Sequence, residues 1–309
     1  MHFDFDAAVT SPFRMQPGLR KLAAGATQLT PLAPGSRHQR EKLAVLSAFP
    51  GLALQIAPGF DALPALQGLA AFAAAEHPGC FEWDGRTAQA AGVAVCDGHL
   101  TQHAAGAFGL GDELTRCLQG LPPTWRLAGL LSLAFVEDFA IVDTAAGTLP
   151  WLAVALPSHW APEEKIGHHF SAVHAPEADN ALLLKAADAL MRMVGGGERW
   201  ERFVWNVTSP PRLHAHPLHV APLRWPGGVF DADCAWWRSE RQTFIALPSL
   251  QQAIFTIAVQ VQPISQAIDT PARAARLHDA LSSMSGAVLA YRSLDAVHTP
   301  LMQWLAARR

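Results

Sequence analysis

The sequence predicts a mixed α+β fold in which helices flank an antiparallel sheet. Its strand-like runs come in adjacent pairs, at 130–157 and at 236–263, and a short loop joins the members of each pair. Helical patterns precede and follow these pairs, whereas a parallel sheet requires a regular alternation of strands and helices. At 309 residues, half of them apolar, the chain is long enough to bury a large core.

The elements follow from periodicity and from their end signals. Ser36 is a suitable N-cap for the first helix, and Pro64 fits the first turn of the second. The helical patterns cover residues 36–46, 61–76, 111–119, 157–176, 180–194, 271–284 and 294–307. The strand patterns cover residues 91–96, 130–143, 149–157, 202–207, 236–248 and 253–263. Residues 208–235 are rich in Pro and His and predict a long loop.

No internal repeat or low-complexity linker divides the chain, so we expect a single domain over residues 1–309. The first 34 residues, with PFRMQPGLRKL and a Pro, Gly and Thr-rich run, predict an extended N-terminal arm. Residues 271–309 are predicted to close the domain as C-terminal helices.

Composition excludes several classes of protein. The net charge of −3 gives no electrostatic footprint for nucleic acid. No apolar run is long enough to span a membrane, and the acidic N-terminus is unlike a secretory signal. The four cysteines form no CxxC pair, and they indicate reduced thiols and a cytoplasmic location. They are Cys80, Cys96, Cys117 and Cys234.

The segment PSHWAPEEKIGHHFSAVHAP, at 157–176, concentrates chemistry-bearing residues in what its pattern predicts to be one short helix. Helical spacing places four residues on one stripe. They are Glu163, Gly167, Phe170 and His174. His168 and His169 fall elsewhere around the helix, so the three histidines cannot all serve one centre. A flat cofactor could approach over Gly167, stack near Phe170 and take His174 as a ligand. The alternative is a half-buried surface helix with capping or solvated histidines.

Two other groups of polar residues have structural and functional interpretations. HAHPLH, with His214, His216 and His219, lies among prolines without a close acidic partner, which favours a loop cluster over a metal site. On the strand at 236–248, Glu240 and Arg241 point to opposite faces. Such charges are costly to bury unless they are paired or bind an ion, and the alternative is an exposed strand end with a salt bridge at its rim.

Other common sites are absent from the sequence. The glycine-rich runs GLGDEL and VGGGER do not have the spacing of a phosphate-binding loop. There is no GxSxG nucleophile motif and no HExxH zinc helix. The sequence therefore gives no indication of nucleotide binding, serine hydrolase chemistry or zinc protease chemistry.

Several motifs in this order resemble the haem-dependent oxidative N-demethylase family. The specific ones are LPSHWAPEEKIG followed by VHAP, and RSERQTFIALP followed by AIFTIAVQVQP. PGLRKL, EKLAVL and the VED of residues 136–138 are similar to the family's N-terminal landmarks. The resemblance runs from about residue 12 to about residue 305.

The resemblance implies a PAS-like domain that binds haem b and uses dioxygen to remove a methyl group from a small amine. Relatives take electrons from a partner reductase that carries flavin and an iron–sulfur centre. This chain has no cysteine cluster and no flavin fingerprint, so its reductant is expected to come from another protein, in an assembly with other subunits or further copies.

The family pattern also implies roles for individual residues. His174 closes the (I/V)HxP motif and is implied to be the iron ligand, which agrees with its place on the helical stripe. Lys165 and Arg241 are candidates for the haem propionates. Glu240 is a candidate for orienting a cationic amine. Candidates for apolar walls are Trp160, Trp205 and Phe255. Trp160 is predicted to contact the cofactor, and Trp205 is predicted to contact the substrate.

The chain departs from the family pattern at two points. Val204 stands before Trp205 where the family commonly has Asn, and no Gln precedes Glu137. These differences indicate a branch that retains haem and uses another substrate. The alternatives are a haem-based PAS-like sensor and a haem-binding or haem-free subunit without catalytic activity, because fold does not fix function.

Overall fold

Two antiparallel sheets and the helices that cover them form the fold in the computed structural model, which describes residues 3–309. The predicted α+β class is confirmed. The strands are β1 Arg20–Lys21, β2 Leu54–Ile56, β3 Glu82–Trp83, β4 Thr87–Ala90, β5 Val93–Cys96, β6 His99–Gln102, β7 Asp138–Asp143, β8 Thr148–Ala153, β9 Trp200–Thr208, β10 Trp236–Leu247 and β11 Gln252–Pro263.

The helices occupy three parts of the chain: before β7, between β8 and β9, and after β11. They are α1 Phe5–Ala8, α2 Arg37–Ala48, α3 Pro50–Ala53, α4 Leu63–Glu76, α5 Glu113–Gln119, α6 Arg126–Ala134, α7 Phe170–His174, α8 Ala181–Lys185, α9 Ala187–Gly195, α10 Ile264–Ala267, α11 Pro271–Ser282, α12 Gly286–Tyr291 and α13 His298–Ala306. Short 3₁₀ turns include Pro123–Trp125, Pro162–Glu164, Pro226–Gly228, Pro248–Leu250 and Asp295–Val297.

The larger sheet has seven strands in the order β1-β9-β10-β11-β7-β8-β2, and the smaller one follows the order β3-β4-β5-β6. Both predicted hairpins are confirmed, as β7–β8 and β10–β11. Glu240 lies opposite Val259 on one side and Val204 on the other, so these three side chains share a face of the sheet. We call it the front face. Phe203, Arg241 and Ala258 are likewise aligned on the opposite, back face.

Apolar cores lie on both faces. On the back face, Phe139, Ile141 and Trp151 belong to the largest core, together with residues of α2, α4 and α6. At the β9 end of the same face, Trp205 stacks on Trp237 with ring centroids 5.0 Å apart, and both join the core of the C-terminal helices. On the front face a smaller cluster joins Val142 to residues of α8 and α9. This smaller front core leaves part of the sheet for the polar residues described below.

A buried ion pair fastens α2 to the sheet. Lys42 is fully buried, and its Nζ lies 3.2 Å from Oδ1 of Asp138 and donates to the carbonyl oxygens of Phe135 (3.0 Å) and Glu137 (2.6 Å). Asp138 in turn accepts a hydrogen bond from the backbone N–H of Leu156 at 2.7 Å. The EKLAVL and VED landmarks of the sequence therefore meet in space and hold helix, strand and loop together.

Two predicted elements were wrong in extent. The first half of the predicted strand at 130–143 is the end of α6, because a short apolar run has the same composition in a buried helix as in a strand. The predicted helix at 180–194 is divided at Ala186 into α8 and α9. The arm contains α1 and β1, and α12, capped by the Ser285 side chain, was not predicted.

The predicted single helix at 157–176 was also wrong. Only the turn Pro162–Glu164 and α7 are helical. Gly167 has a φ of 72°, in the left-handed region, and its N–H donates to the Leu149 carbonyl at 2.8 Å. The segment therefore runs beside the start of β8 before α7 begins, and the four residues of the predicted stripe do not share a helix face.

Replacing Lys42 with Met should lower the free energy of unfolding by about 3–5 kcal/mol, because Asp138 would remain buried without its counter-charge. The matched control is Arg40→Met on the exposed side of the same helix, which should change stability by no more than about 0.5 kcal/mol. Urea unfolding followed by circular dichroism measures both values. Equal effects of the two substitutions would contradict this account.

Candidate functional site

The front face carries a group of polar side chains on the middle strands of the sheet. Strand alternation and the β9–β10 register place Arg202 opposite Gln242 and Asn206 opposite Arg238. Glu240 lies between them, and its side chain is buried, with 7% of the residue exposed. Oε2 of Glu240 accepts a hydrogen bond from the Gln242 amide at 2.6 Å, and within residues 3–309 Glu240 has no ion-pair partner. The charges of Arg202 and Arg238 act on this carboxylate without a direct hydrogen bond or ion pair to it, so it retains the capacity to pair with a bound cation.

Arg202 also lies on the front face and has an unsatisfied polar atom. Its Nε is buried without a hydrogen-bond partner in the part of the chain that the structure describes. Burial lowers the pKa of its guanidinium, while the nearby carboxylates of Glu177 and Glu240 act in the opposite direction. A buried donor of this kind needs an acceptor, which a bound group would supply.

His174 lies at the end of α7, close to Arg202. Its Nδ1 is 2.8 Å from the Phe170 carbonyl, and its ring packs on that of Phe170 with centroids 4.0 Å apart. Since a carbonyl only accepts, the hydrogen is on Nδ1 and the lone pair is on Nε2, which lies 3.9 Å from the Glu177 carboxylate. Burial lowers the pKa of His174 to about 4, and the charges of Arg202 and Lys165 act in the same direction. At neutral pH the ring therefore offers a neutral, oriented Nε2.

Other residues singled out in the sequence lie around this histidine. Phe170 packs on the front-face cluster, and Trp160 packs with Phe255 in the neighbouring cluster. Lys165 has no hydrogen bond or ion pair with any residue from 3 to 309, although its charge contributes to the lowered pKa of His174. A Cβ built at Gly167 would approach only Ala57, at 3.9 Å, so the structure explains this glycine by its left-handed turn rather than by close packing.

Two predicted site residues do not join the others. Trp205 and Arg241 both point to the back face, away from Glu240. Trp205 donates through Nε1 to the Ala8 carbonyl at 3.0 Å. Arg241 donates to the Glu201 carboxylate at 2.9 Å and to a backbone carbonyl of the arm. Both side chains therefore have structural partners, and their placement gives no support to roles in contacting substrate or haem.

The sequence of the chain matches one protein family over most of its length. The family described as haem-dependent oxidative N-demethylase, alpha subunit-like, matches residues 65–302, well over half of the sequence. The chain belongs to this family. None of the curated proteins that were compared matches it. In the part of the chain from residue 3 onward, no helix is both long and apolar enough to cross a membrane.

The residues of this oxidative N-demethylase-like chain fit the cofactor that the family name indicates. Nε2 of His174 is neutral and free of a hydrogen bond, as an iron ligand must be, and the Phe170 carbonyl orients the ring through Nδ1. The unpartnered guanidinium of Arg202 and the free ammonium of Lys165 provide donors for an anionic or acceptor group. The site thus combines one neutral histidine nitrogen that could bind iron with positive charge that has no ion-pair partner among residues 3–309.

Several residues of this family member were not identified from its sequence. Glu177 and Arg202 lie next to His174, and Arg292 donates to the Trp205 carbonyl at 2.6 Å. The place of Arg202 could have been predicted from the sequence. If β9 pairs with β10, strand alternation puts Arg202 on the same face as Glu240. No local pattern predicts the contact of Arg292, because this residue reaches the sheet from the C-terminal helices, 87 residues away from Trp205 along the chain.

His159 lies near Arg238 of the front face, and its burial predicts a pH dependence of stability. Burial and the charges of Arg224 and Arg238 lower its pKa to about 3, and its Nε2 lies 3.1 Å from the Thr208 hydroxyl. The unfolded chain takes up a proton on this imidazole near its ordinary pKa of 6.5, whereas the folded chain does not. The contribution of His159 is therefore fully present above pH 6.5 and is lost as the pH falls towards 3, by about 1.4 kcal/mol per pH unit at most.

We expect His159→Asn to remove this part of the pH dependence. Asn tolerates the left-handed backbone at this position, where φ is 65°. The measurement is urea unfolding of both proteins between neutral and acidic pH. The difference in stability between wild type and variant should shift in favour of the variant as the pH falls, and parallel profiles would contradict the assignment.

Proposed function

We propose that this chain binds haem b through His174 and oxidises a small amine at an N-methyl group with dioxygen. The observation that carries the proposal is the neutral, buried His174, whose free Nε2 lies beside a floor that holds an unpaired carboxylate and an unpaired guanidinium. When bound, haem supplies the iron that binds dioxygen and the oxidising power for a C–H bond next to nitrogen.

The protein's part is to hold and orient the reacting groups. Phe170 fixes the His174 ring through its carbonyl and keeps the proton on Nδ1, so that Nε2 remains available to iron. Lys165 is proposed to bind a haem propionate, because it is close to His174 and has no partner within residues 3–309. Arg241, which was predicted to share this role, is occupied by Glu201, and Arg202 is the unpartnered arginine on the correct face.

Glu240 is proposed to bind the ammonium form of the substrate. Its only hydrogen bond comes from Gln242, and a cationic amine would pair with the carboxylate directly. Val204 and Val259 flank it on the same face, which suits the methyl groups of an amine. Valine at 204, where the family commonly has Asn, favours a substrate with an apolar substituent at this point.

The domain and the source of its electrons are also inferred from the family. We infer one PAS-like haem-binding domain over the whole chain, with electrons delivered by a cytoplasmic reductase that carries flavin and an iron–sulfur centre. The alpha subunit-like character of the family supports an assembly with other subunits. The scattered cysteines support an external source of electrons, since all four are free thiols.

Substituting His174 with Ala should abolish or alter the haem spectrum of the reconstituted chain, because Nε2 is the proposed axial ligand. Absorption spectra of the oxidised, reduced and carbon monoxide-bound forms measure the effect. The matched control is His168→Ala, an exposed histidine six residues earlier, which should bind haem as wild type does. If wild type binds no haem, the proposed function fails; if H174A binds haem unchanged, another residue is the ligand.

Substituting Glu240 with Gln should weaken the binding of secondary amines by about tenfold or more, because a hydrogen bond to a charged group is worth about 1.5–3 kcal/mol. Titrating amines into the haem-loaded chain and following the haem spectrum measures this. Glu164→Gln, at an exposed position, is the control. Equal affinities would exclude Glu240 as the amine site, and a wild-type spectrum that does not respond to amines would favour a sensor or a non-catalytic subunit.

A further inference from the structure

The histidines of the 208–235 loop form a second polar cluster that the proposed haem site does not use. Their segment is fixed in place: the N–H of Ala215 donates to the Pro157 carbonyl at 3.0 Å, and the N–H of His159 donates to the Ala215 carbonyl at 2.9 Å. Arg238 binds the carbonyls of Leu213 (2.7 Å) and Pro157 (3.0 Å). The predicted long loop is confirmed, since only a short 3₁₀ turn interrupts it between β9 and β10, and these hydrogen bonds hold its histidine segment against neighbouring loops.

Hydrogen bonds determine where the protons lie on two of these rings. Nδ1 of His214 is 2.6 Å from the Ala155 carbonyl, so it carries the hydrogen and leaves a lone pair on Nε2. That Nε2 is 2.7 Å from Nδ1 of His219, which must then be the donor. Nε2 of His219 therefore has a lone pair, and it has no partner within residues 3–309.

His216 is arranged differently. Its Nδ1 accepts from the N–H of Leu218 at 3.2 Å, so its Nε2 donates to the Glu163 carboxylate, 3.1 Å away. Glu163 is the acidic partner that the sequence did not predict near these histidines. Because His216 is held by Glu163 and His214 by Ala155, His219 is the member of the cluster whose second nitrogen is available.

A cavity of about 250 Å³ opens beside His219. Its walls combine two polar side chains and one cation with small apolar groups. They are Ser209, Pro210, Pro211, Arg212, His219, Val220 and Ala221. The guanidinium of Arg212 has neither a hydrogen bond nor an ion pair to residues 3–309, whereas Ser209 donates to the Arg224 carbonyl. Arg212 and His219 thus both line this cavity, and each has a side-chain nitrogen without a partner in the part of the chain that the structure describes.

We propose that this cavity binds a small carboxylate with a short alkyl group. Arg212 would donate to the carboxylate oxygens, and His219 would take up a proton on Nε2 and donate as well. His214 supports this change, because its Nε2 accepts the Nδ1–H of His219 in either protonation state. Pro210, Pro211 and Val220 would contact the alkyl group.

The surrounding charges favour an anion at this position. Arg37 donates to the Pro211 carbonyl and is paired with Glu41 at 3.0 Å, while Glu41 also accepts from the N–H of His214. Glu163 is occupied by His216. Phe49, which packs on His219 with ring centroids 4.4 Å apart, offers a π-face to the protonated ring. The acidic groups around His219 are therefore already bound, and Arg212 is not.

The proposal is tested by long-range ¹H–¹⁵N spectra of the full chain labelled in its histidine rings, titrated with acetate and butyrate. We expect a saturable change at Nε2 of His219 to the protonated form, with His214 unchanged and butyrate binding more tightly than acetate. Arg212→Gln should weaken binding by about tenfold, and the exposed Arg116→Gln should not.

Three results would overturn the proposal. The first is that carboxylates act no more strongly than chloride at the same ionic strength. The second is that inorganic phosphate binds and carboxylates do not, which would assign the cavity to phosphate. The third is an unchanged affinity in Arg212→Gln, whose position on an exposed loop leaves the fold intact.

Discussion

Six consecutive polar side chains, at 238–243, lie buried in β10, an interior strand of the larger sheet. Each must find a partner inside the protein, because an unsatisfied buried polar group costs about 1–3 kcal/mol and a charge costs more. Arg238 is satisfied by backbone carbonyls of two loops, and Arg241 by Glu201. Within residues 3–309, Glu240 is the charged member with no ion pair and a single side-chain hydrogen bond, from Gln242. Packing of loops and arm around β10 therefore leaves one buried carboxylate for a ligand.

The alternation of this strand also separates support from chemistry. Arg241 and its neighbours on the back face join the N-terminal arm to the sheet, whereas Glu240 and Gln242 on the front face lie with Arg202 and the approaching α7. His174 becomes part of this group only because the left-handed turn at Gly167 redirects the chain after β8. The same strand thus explains both the stability of the sheet and the position of the proposed haem site.

Sequence patterns predicted the hairpins and the helix that Ser36 caps, because period-two alternation and a capping side chain are local signals. They also placed Phe170 and His174 on one helical face, where the two rings pack. The family motifs made Trp205 a candidate site residue. They did not indicate which face of the sheet it occupies, because that depends on strand pairing. Arg292 and the division of the segment at 157–176 depend on contacts between distant parts of the chain, for which no local pattern exists.

A crystal structure of the haem-loaded chain would show whether His174 binds the haem iron. We expect iron bonded to Nε2 of His174, with Nδ1 still hydrogen-bonded to the Phe170 carbonyl and the cofactor against the front face that carries Glu240 and Arg202. Iron bonded to any other residue, or haem on the back face beside Trp205, would contradict it.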